Sequence, residues 1–288
     1  MKCGFVILNY NSWDLTKKLA LSVSKYEKID YVIVIDNCSS NDSYFEMKDI
    51  ENNKIVVKKT EKNGGYSYGN NYGAKVCSEL GIDIMFISNP DVEIDESDIN
   101  LILKGMNDVR YSVLTGVEYD INGIISDPPI WKLSSYKDDL LDCFYIGRKI
   151  SKKNIKVNYM KKIQDIDIFK GSLFAVRLKD YLDVGGFDES VFLFCEERIL
   201  STKIKKSGKS IGLVTGARYY HRHSETINKE YKKIVNQIKI QFESRMIYYN
   251  KYKNITKFKN VVLKIAMKWS LFEYRIYDLV KLIKRKVN

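Results

Sequence analysis

Four short, unbroken apolar runs open the chain. Residues 3–8 (CGFVIL), 31–35 (YVIVI), 54–58 (KIVVK) and 82–88 (IDIMFIS) each read as a strand buried on both faces. Between them apolar positions recur at helical spacing. One helix is predicted from an N-cap at Ser12 to about Tyr26, another begins in the polar turn 39–43, and a third runs from about Tyr68 to Leu80. Strand and helix in alternation predict an α/β fold, a mostly parallel sheet flanked by crossover helices. Further on, short strands are expected over 111–117 and 121–126, joined at Asn122-Gly123, and another over 171–177. A helix from Glu196 to Ser207 is stopped by Gly208, and a last strand covers 210–214. Beyond His221 the pattern is helical. The expected division is an α/β domain over 1–225 and a basic helical extension over 226–288.

Each of the four early runs ends in polar residues: Asn9 to Ser12, Asp36 to Ser40, Asn63 to Asn71 and Asn89 to Asp91. In an open parallel sheet, ligands bind outside the carboxyl ends of the strands. Four clusters on one edge of one sheet are the strongest purely physical sign of a binding site here.

Charge and cysteine content narrow the partners. A net charge of +12 over 288 residues favours an acidic partner, although solubility alone accounts for such a charge equally well. Residues 148–162 are basic without an acid, and from Lys251 onward the only acids are Glu273 and Asp278. Five scattered cysteines with no CxxC spacing suit a reducing cytosol. No apolar run approaches the roughly 18 residues of a membrane span, and the opening run is too short for a signal peptide. A cytoplasmic protein is expected. Residues 256–286 mix Lys and Arg with large apolar residues at helical spacing. Such a helix suits the anionic inner face of the cell membrane, or packing on the α/β domain or on a second subunit of a homodimer.

Several clusters could carry chemistry. Asp36, with Asn37, Ser39 and Ser40, suits a ribose or base contact, or a helix cap and turn. The run Asn63-Gly64-Gly65-Tyr66-Ser67-Tyr68-Gly69-Asn70-Asn71 matches neither GxGxxG nor a P-loop. Its glycines allow a ligand close to the backbone, and its tyrosines can stack on a base. Pro90 ends its strand and presents Asp91, a hard oxygen donor suited to Mg²⁺ or Mn²⁺ on a diphosphate. Glu196 and Glu197 stand at a helix start, where the dipole favours acids and where one of them could act as a general base. His221 and His223, the only histidines, flank Arg222 and suit metal or phosphate contact.

Taken in order, these segments resemble family-2 inverting glycosyltransferases of the GT-A fold, in particular the rhamnosyltransferase-like enzymes of bacterial cell-wall, capsule and O-antigen synthesis. The resemblance rests on VILNYNSWDLTKKLALSV, VIVIDNCSSNDS, NGGYSYGNNYGA, NPDVEID, GGFDESVFLFCEERILSTKIKKSG and YHRHSET. It implies a Rossmann-like GT-A domain with a C-terminal helical tail, and a sugar moved from a UDP- or dTDP-sugar, dTDP-rhamnose included, to a glycan or lipid-linked acceptor. By position, Asn9, Tyr10, Asn11, Asp36, Asn37, Ser39, Asn63, Gly65, Tyr66, Asn70, Asn89 and Asp91 would hold the nucleotide-sugar. Asp91 and His221, with His223 as the nearest rival, would hold a divalent metal (Mn²⁺ or Mg²⁺). Glu197 would be the general base with Glu196 in reserve, and Gly186, Phe187 and Asp188 would lie on the acceptor side. Two positions depart from the pattern: Asn89 replaces the first Asp of a DxD-type motif, and Glu197 replaces the Asp of an ED pair. A glycoside hydrolase and a non-catalytic nucleotide- or nucleic-acid-binding protein are the competing readings. No nucleic-acid motif supports the latter.

Overall fold

Nine strands form one sheet in the computed structural model, which describes residues 1–127, 129–144, 147, 155–222 and 234–287, with side chains as far as Tyr277. β1 (Cys3–Asn9), β2 (Tyr31–Asp36), β3 (Ile55–Lys59) and β4 (Ile84–Ser88) lie parallel in the order β3-β2-β1-β4. Beyond β4 the order continues β8 (Leu173–Arg177), β6 (Tyr111–Tyr119), β9 (Ser210–His221) and β5 (Val92–Glu93), with β7 (Ile163–Asp165) also pairing β9. β8 is antiparallel to both β4 and β6, so β6 points the same way as β1 to β4. β9 is parallel to β6 and shares that direction. The C-terminal ends of β1, β2, β4, β6 and β9, and the start of β8, therefore share one edge.

Strand side chains alternate between two cores, which is why the early runs are apolar throughout. Phe5 and Ile7 of β1, Val32 and Val34 of β2, and Ile84 and Phe86 of β4 face α1 (Trp13–Val23), α2 (Ser43–Lys48) and α4 (Glu96–Gly105). Val6, Ile33, Ile35, Met85 and Ile87 face α3 (Gly65–Glu79), α6 (Leu178–Asp183) and α7 (Glu196–Lys206). These layers belong to a compact unit of residues 1–132, 154–192 and 196–226. A second unit holds 227–288 together with 133–153 and 193–195. It contains α5 (Tyr136–Asp142), α8 (Ile234–Tyr248), a π-helical turn (Tyr249–Lys253) and α9 (Lys257–Val287).

Four details depart from the sequence pattern. Residues 121–126 form a turn with one isolated bridge, Tyr119 to Ile125, rather than a strand. Asp120 explains this by accepting from the Asn122 and Ile124 amides, with Gly123 at φ 74°. β9 runs on to His221, because its second half pairs with Glu118 and Tyr119 of β6 after a bulge. Ser12 makes no side-chain cap on α1. α3 starts at Gly65, so most of the expected glycine loop is helix. Gly69 and Gly73, four apart on one helix face, let α3 lie close on β1: an added Cβ would stand 2.3 Å from Leu8 Cδ1 and 2.6 Å from Val6 Cγ1.

Candidate active site

The polar ends of β1 and β2 form one closed network. Asn9 pairs with Asp36 across the parallel register. Its Nδ2 donates to Asp36 Oδ1 (2.9 Å) and Ser39 Oγ (3.1 Å), and its Oδ1 accepts from Thr16 Oγ1 (2.9 Å) and the Ser12 amide (3.2 Å). Ser39 donates through its hydroxyl and its amide to Asp36. The Asn9 amide is thus fully used inside the protein. It shapes the loop that carries half-buried Tyr10 and Asn11, whose Oδ1 accepts from the Ser40 amide. Asn37 is likewise spent: Nδ2 donates to Asn63 Oδ1 and the Gly65 carbonyl (both 3.0 Å), and Oδ1 accepts from Thr60. Asn70 is buried, with Nδ2 on the Tyr66 carbonyl and Oδ1 without a hydrogen-bond partner among the described residues.

A second cluster gathers where β4, β6 and β9 end and β5 and β8 begin. β5 pairs antiparallel with β9, Val92 opposite His221, and the Arg222 amide donates to the Asp91 carbonyl (3.1 Å). That register places His221 Nε2 3.2 Å from Asp91 Oδ1. On the other side of the ring, Nδ1 lies 3.4 Å from Glu118 Oε2. Glu118, buried at the end of β6, also accepts from Ser172 Oγ (2.5 Å), Tyr219 OH (3.0 Å) and Lys170 Nζ (3.2 Å). Burial alone would raise the Glu118 pKa, but the His221 hydrogen bond and the Lys170 charge hold it well below the usual carboxylate range. Burial pulls His221 down, yet its two carboxylate neighbours win and lift it to about 9. Burial also lowers the Lys170 pKa, and Glu118 opposes that. Arg222 is engaged by Glu93 at 2.6 Å, which also binds Lys18 at 2.9 Å beside a cavity of about 300 Å³ between α1 and β5. His223 lies outside the described residues.

Glu196 and Glu197 occupy the first turn of α7. The chain enters that helix through two consecutive left-handed residues, Phe194 (φ 68°) and Cys195 (φ 67°), conformations costing about 1–3 kcal/mol each for side chains other than glycine. Glu196 is buried, and the half-buried Glu197 carboxyl lies against Gly171. A Cβ at Gly171 would sit 2.2 Å from Glu197 Oε1, so only glycine leaves room for the carboxyl. Burial pushes the Glu197 pKa up to about 7, opposed in part by hydrogen bonds from its own amide and that of Gly171. Tyr66, kept neutral by burial and by the neighbouring Glu197 and Glu196 charges, donates to the Gly171 carbonyl (2.7 Å). Gly65 holds φ 83°, and a Cβ there would strike the Phe192 carbonyl, which receives the Tyr66 amide. Phe187 is core, edge-to-face with Tyr66 and Tyr181. Its amide and carbonyl hold Asn71, while Gly186 (φ 54°) and Asp188, which accepts from Ser190, make the turns around it.

The strap Lys170-Gly171-Ser172 joins the two chemical groups. Lys170 and Ser172 hold Glu118, Gly171 holds Glu197, and the Ser172 carbonyl accepts the Asn89 amide (2.9 Å). Glu118, Lys170, Gly171 and Ser172 escaped the sequence reading. A lone acid ending an apolar strand, and a KGS triplet opening another, carry no spacing signal. The charged Lys170 before an apolar strand was the one available hint. Among the described residues no group of three or more His, Cys, Asp or Glu side chains gathers as a metal site. Asp91 and His221 nonetheless offer a carboxylate and, once a metal displaces the Nε2 proton, an imidazole within contact of each other, a donor pair that suits Mn²⁺ or Mg²⁺ with further positions left to phosphate and water.

A family model described as glycosyl transferase family 2 matches residues 5–164. The chain belongs to that family. It is 22% identical over 283 residues to the low-salt glycan biosynthesis hexosyltransferase Agl10 of Haloferax volcanii, covering 95% of this chain and 86% of the relative. It is 23% identical over 223 residues to the rhamnosyltransferase WbbL of Escherichia coli K12, covering 75% and 81%. In structure it resembles the mannosyltransferase PcManGT of Pyrobaculum calidifontis, solved with GDP-Man and Mn²⁺ (TM-score 0.58, 14% identity, 96% of this chain and 73% of that one). It also resembles residues 1–349 of TarS of S. aureus, solved with UDP-GlcNAc (TM-score 0.56, 14% identity, 93% and 72%). The fold is of the GT-A type, and the protein is a glycosyltransferase. The hydrolase and binding-module readings give way to this membership.

Proposed function

We propose that the transferase moves a hexosyl group, with inversion, from a nucleoside diphosphate sugar to a hydroxyl of a glycan or lipid-linked acceptor in cell-surface polysaccharide synthesis. Likeness to a rhamnosyltransferase favours dTDP-rhamnose or a UDP-hexose. The enzyme works in the cytoplasm, where nucleotide sugars are made, and meets lipid-linked acceptors at the inner face of the membrane. The observation that carries the reading is the Glu197 carboxyl, pushed up to about 7 and seated on Gly171, one residue along the strap from the group that holds His221 beside Asp91.

In this reading the loops after β1 and β2 hold the nucleoside, with Tyr10, Asn11 and Asn63 lining it and Asn9, Asp36, Asn37, Ser39 and Asn70 bracing it from beneath. Asn89 and Asp91 face the diphosphate, and the Gly186 to Asp188 turn flanks the acceptor. Glu197 accepts the acceptor hydroxyl proton as that oxygen forms its bond to the anomeric carbon. The bond from that carbon to the diphosphate oxygen breaks, and the electron pair leaves with the nucleoside diphosphate. Asp91 and His221 would hold a divalent metal, which when bound would neutralise charge on that leaving group. Glu118 positions His221 by standing 3.4 Å from Nδ1, which leaves Nε2 facing Asp91.

Isothermal titration of UDP, dTDP and GDP, each with and without Mn²⁺, tests donor and metal together. One nucleoside diphosphate binding only with metal is the expected result. Glu197→Gln is expected to keep that binding and lose at least about 10²-fold in turnover. No response to any nucleotide, or normal turnover in the variant, overturns the reading.

A further inference from the structure

The long helix α9 has a buried face and, among the described residues, a second apolar face that is exposed. Leu263, Ala266, Met267 and Ser270 are buried, and the helix runs beside α8. Nearly opposite, Phe258, Val261, Ile265, Trp269, Phe272 and Ile276 are 47–77% exposed. Their spacing of three and four residues aligns them in one stripe, about 27 Å long at 1.5 Å per residue. Scattered exposed apolar residues are ordinary on protein surfaces, but a continuous row of six is not.

Lys257, Lys264, Lys268 and Arg275 are exposed and recur at intervals of seven, four and seven, so they form a second row along one flank of the stripe. Among the described side chains the acid near the stripe is Glu273, which lies on the opposite flank and accepts the Trp269 indole N–H at 2.9 Å, so the indole can leave water without an unmet donor.

We infer that this face of α9 docks on an anionic lipid bilayer, with the apolar stripe entering the acyl boundary and the Lys/Arg row meeting lipid phosphates. Charge complementarity selects this occupant. A second copy of the chain would bring the same cation row and the same net charge of +12 to the contact. A straight stripe one side chain wide also suits a fluid surface that moulds around it, and Trp and Phe beside Lys and Arg are the residues of a membrane interface. Among the described residues no helix is long and apolar enough to cross a membrane, so the contact lies in the plane of the surface. Failure of this proposal leaves the transferase chemistry untouched, and the reverse also holds.

Sedimentation of the full chain with sucrose-loaded vesicles tests it, comparing pure phosphatidylcholine with a 7:3 mixture containing phosphatidylglycerol. Binding to the anionic vesicles alone, weakened by salt and accompanied by a blue shift of tryptophan emission, is expected. Neutralising Lys257, Lys264, Lys268 and Arg275 to Ser should lower partitioning about 10²- to 10³-fold, since each juxtamembrane cation contributes about a factor of five. The triple change Ile265→Ser, Trp269→Ser and Phe272→Ser should abolish it. Neutralising the four exposed lysines Lys25, Lys28, Lys58 and Lys179 should leave binding within about tenfold, which separates a specific face from bulk charge. Circular dichroism melting confirms that each variant is folded, and the cation variant, which alters only exposed side chains, reads the proposal if the triple variant is not. Absence of wild-type binding, or equal loss in the control, overturns the proposal. So does a wild-type dimer by light scattering that the triple variant makes monomeric.

Discussion

Glu197 carries a chemical expectation of its own. In its proposed role as general base it must be ionised to accept a proton, and burial holds this carboxyl near 7 rather than near its usual 4.5. As pH falls through 7 the base becomes protonated, so kcat/KM should drop about tenfold per pH unit, and the limb should vanish in Glu197→Gln. Initial rates between pH 5.5 and 8.5 at saturating metal read this directly. Glu118 carries a different one. Removing it by Glu118→Ala leaves the Lys170 ammonium buried without its partner carboxylate, a defect costing about 3–5 kcal/mol. Urea unfolding should show that loss, and Glu118→Leu combined with Lys170→Met should recover much of it. The double variant should still bind Mn²⁺ about 10- to 100-fold more weakly than wild type, because the His221 ring then lacks the carboxylate on its Nδ1 side. Recovery of stability without recovery of metal affinity distinguishes a positioning group from a merely structural one.

At the scale of elements, close approach explains what residue types alone do not. Glycines in the run 63–71 look like a ligand loop. In the fold, Gly69 and its neighbour Gly73 instead bring α3 onto β1. Gly69→Ala puts a methyl 2.3 Å from Leu8 Cδ1 and should destabilise by about 1–3 kcal/mol, read in the same urea experiment. Gly171→Ala should behave oppositely. Its Cβ meets the mobile end of Glu197, so stability should hardly change while turnover falls sharply. The sheet register carries similar weight. Asp91 and His221 are 130 residues apart, and the antiparallel pairing of Val92 with His221 brings them together. The expected strand over 210–214 stopped short of that pairing, since the local pattern beyond it mixes Tyr and Arg with Gly and Ala.

For the whole molecule, the second unit depends on contacts distant in sequence. Asp139 of α5 is buried against Arg245 and accepts from Tyr249, and Tyr136 donates to the Lys259 carbonyl (2.8 Å). A chain ended at residue 226 lacks all three partners. Hydrogen exchange should then show lost protection over 136–142, with β1 to β4 still protected. Equal protection of 136–142 in both chains would show that these contacts contribute nothing to its stability.

Local rules carried the four parallel strands, the polar ends of those strands, the helix bearing Glu196 and Glu197, and the amphipathic tail. Each rests on a period or a stop signal within a few residues, where hydrophobic burial and backbone sterics act directly. Family resemblance then supplied roles that spacing alone left open. The tertiary structure decided which polar residues are spent and which remain available. Asn9 and Asn37 turned out to be internal braces, and Phe187 part of the core. Glu118 and the strap 170–172 emerged as the connection between the Asp91–His221 pair and the carboxyl on α7. Such assignments depend on strand register and on burial. Both are set by packing between segments far apart in the chain, and no local pattern encodes them.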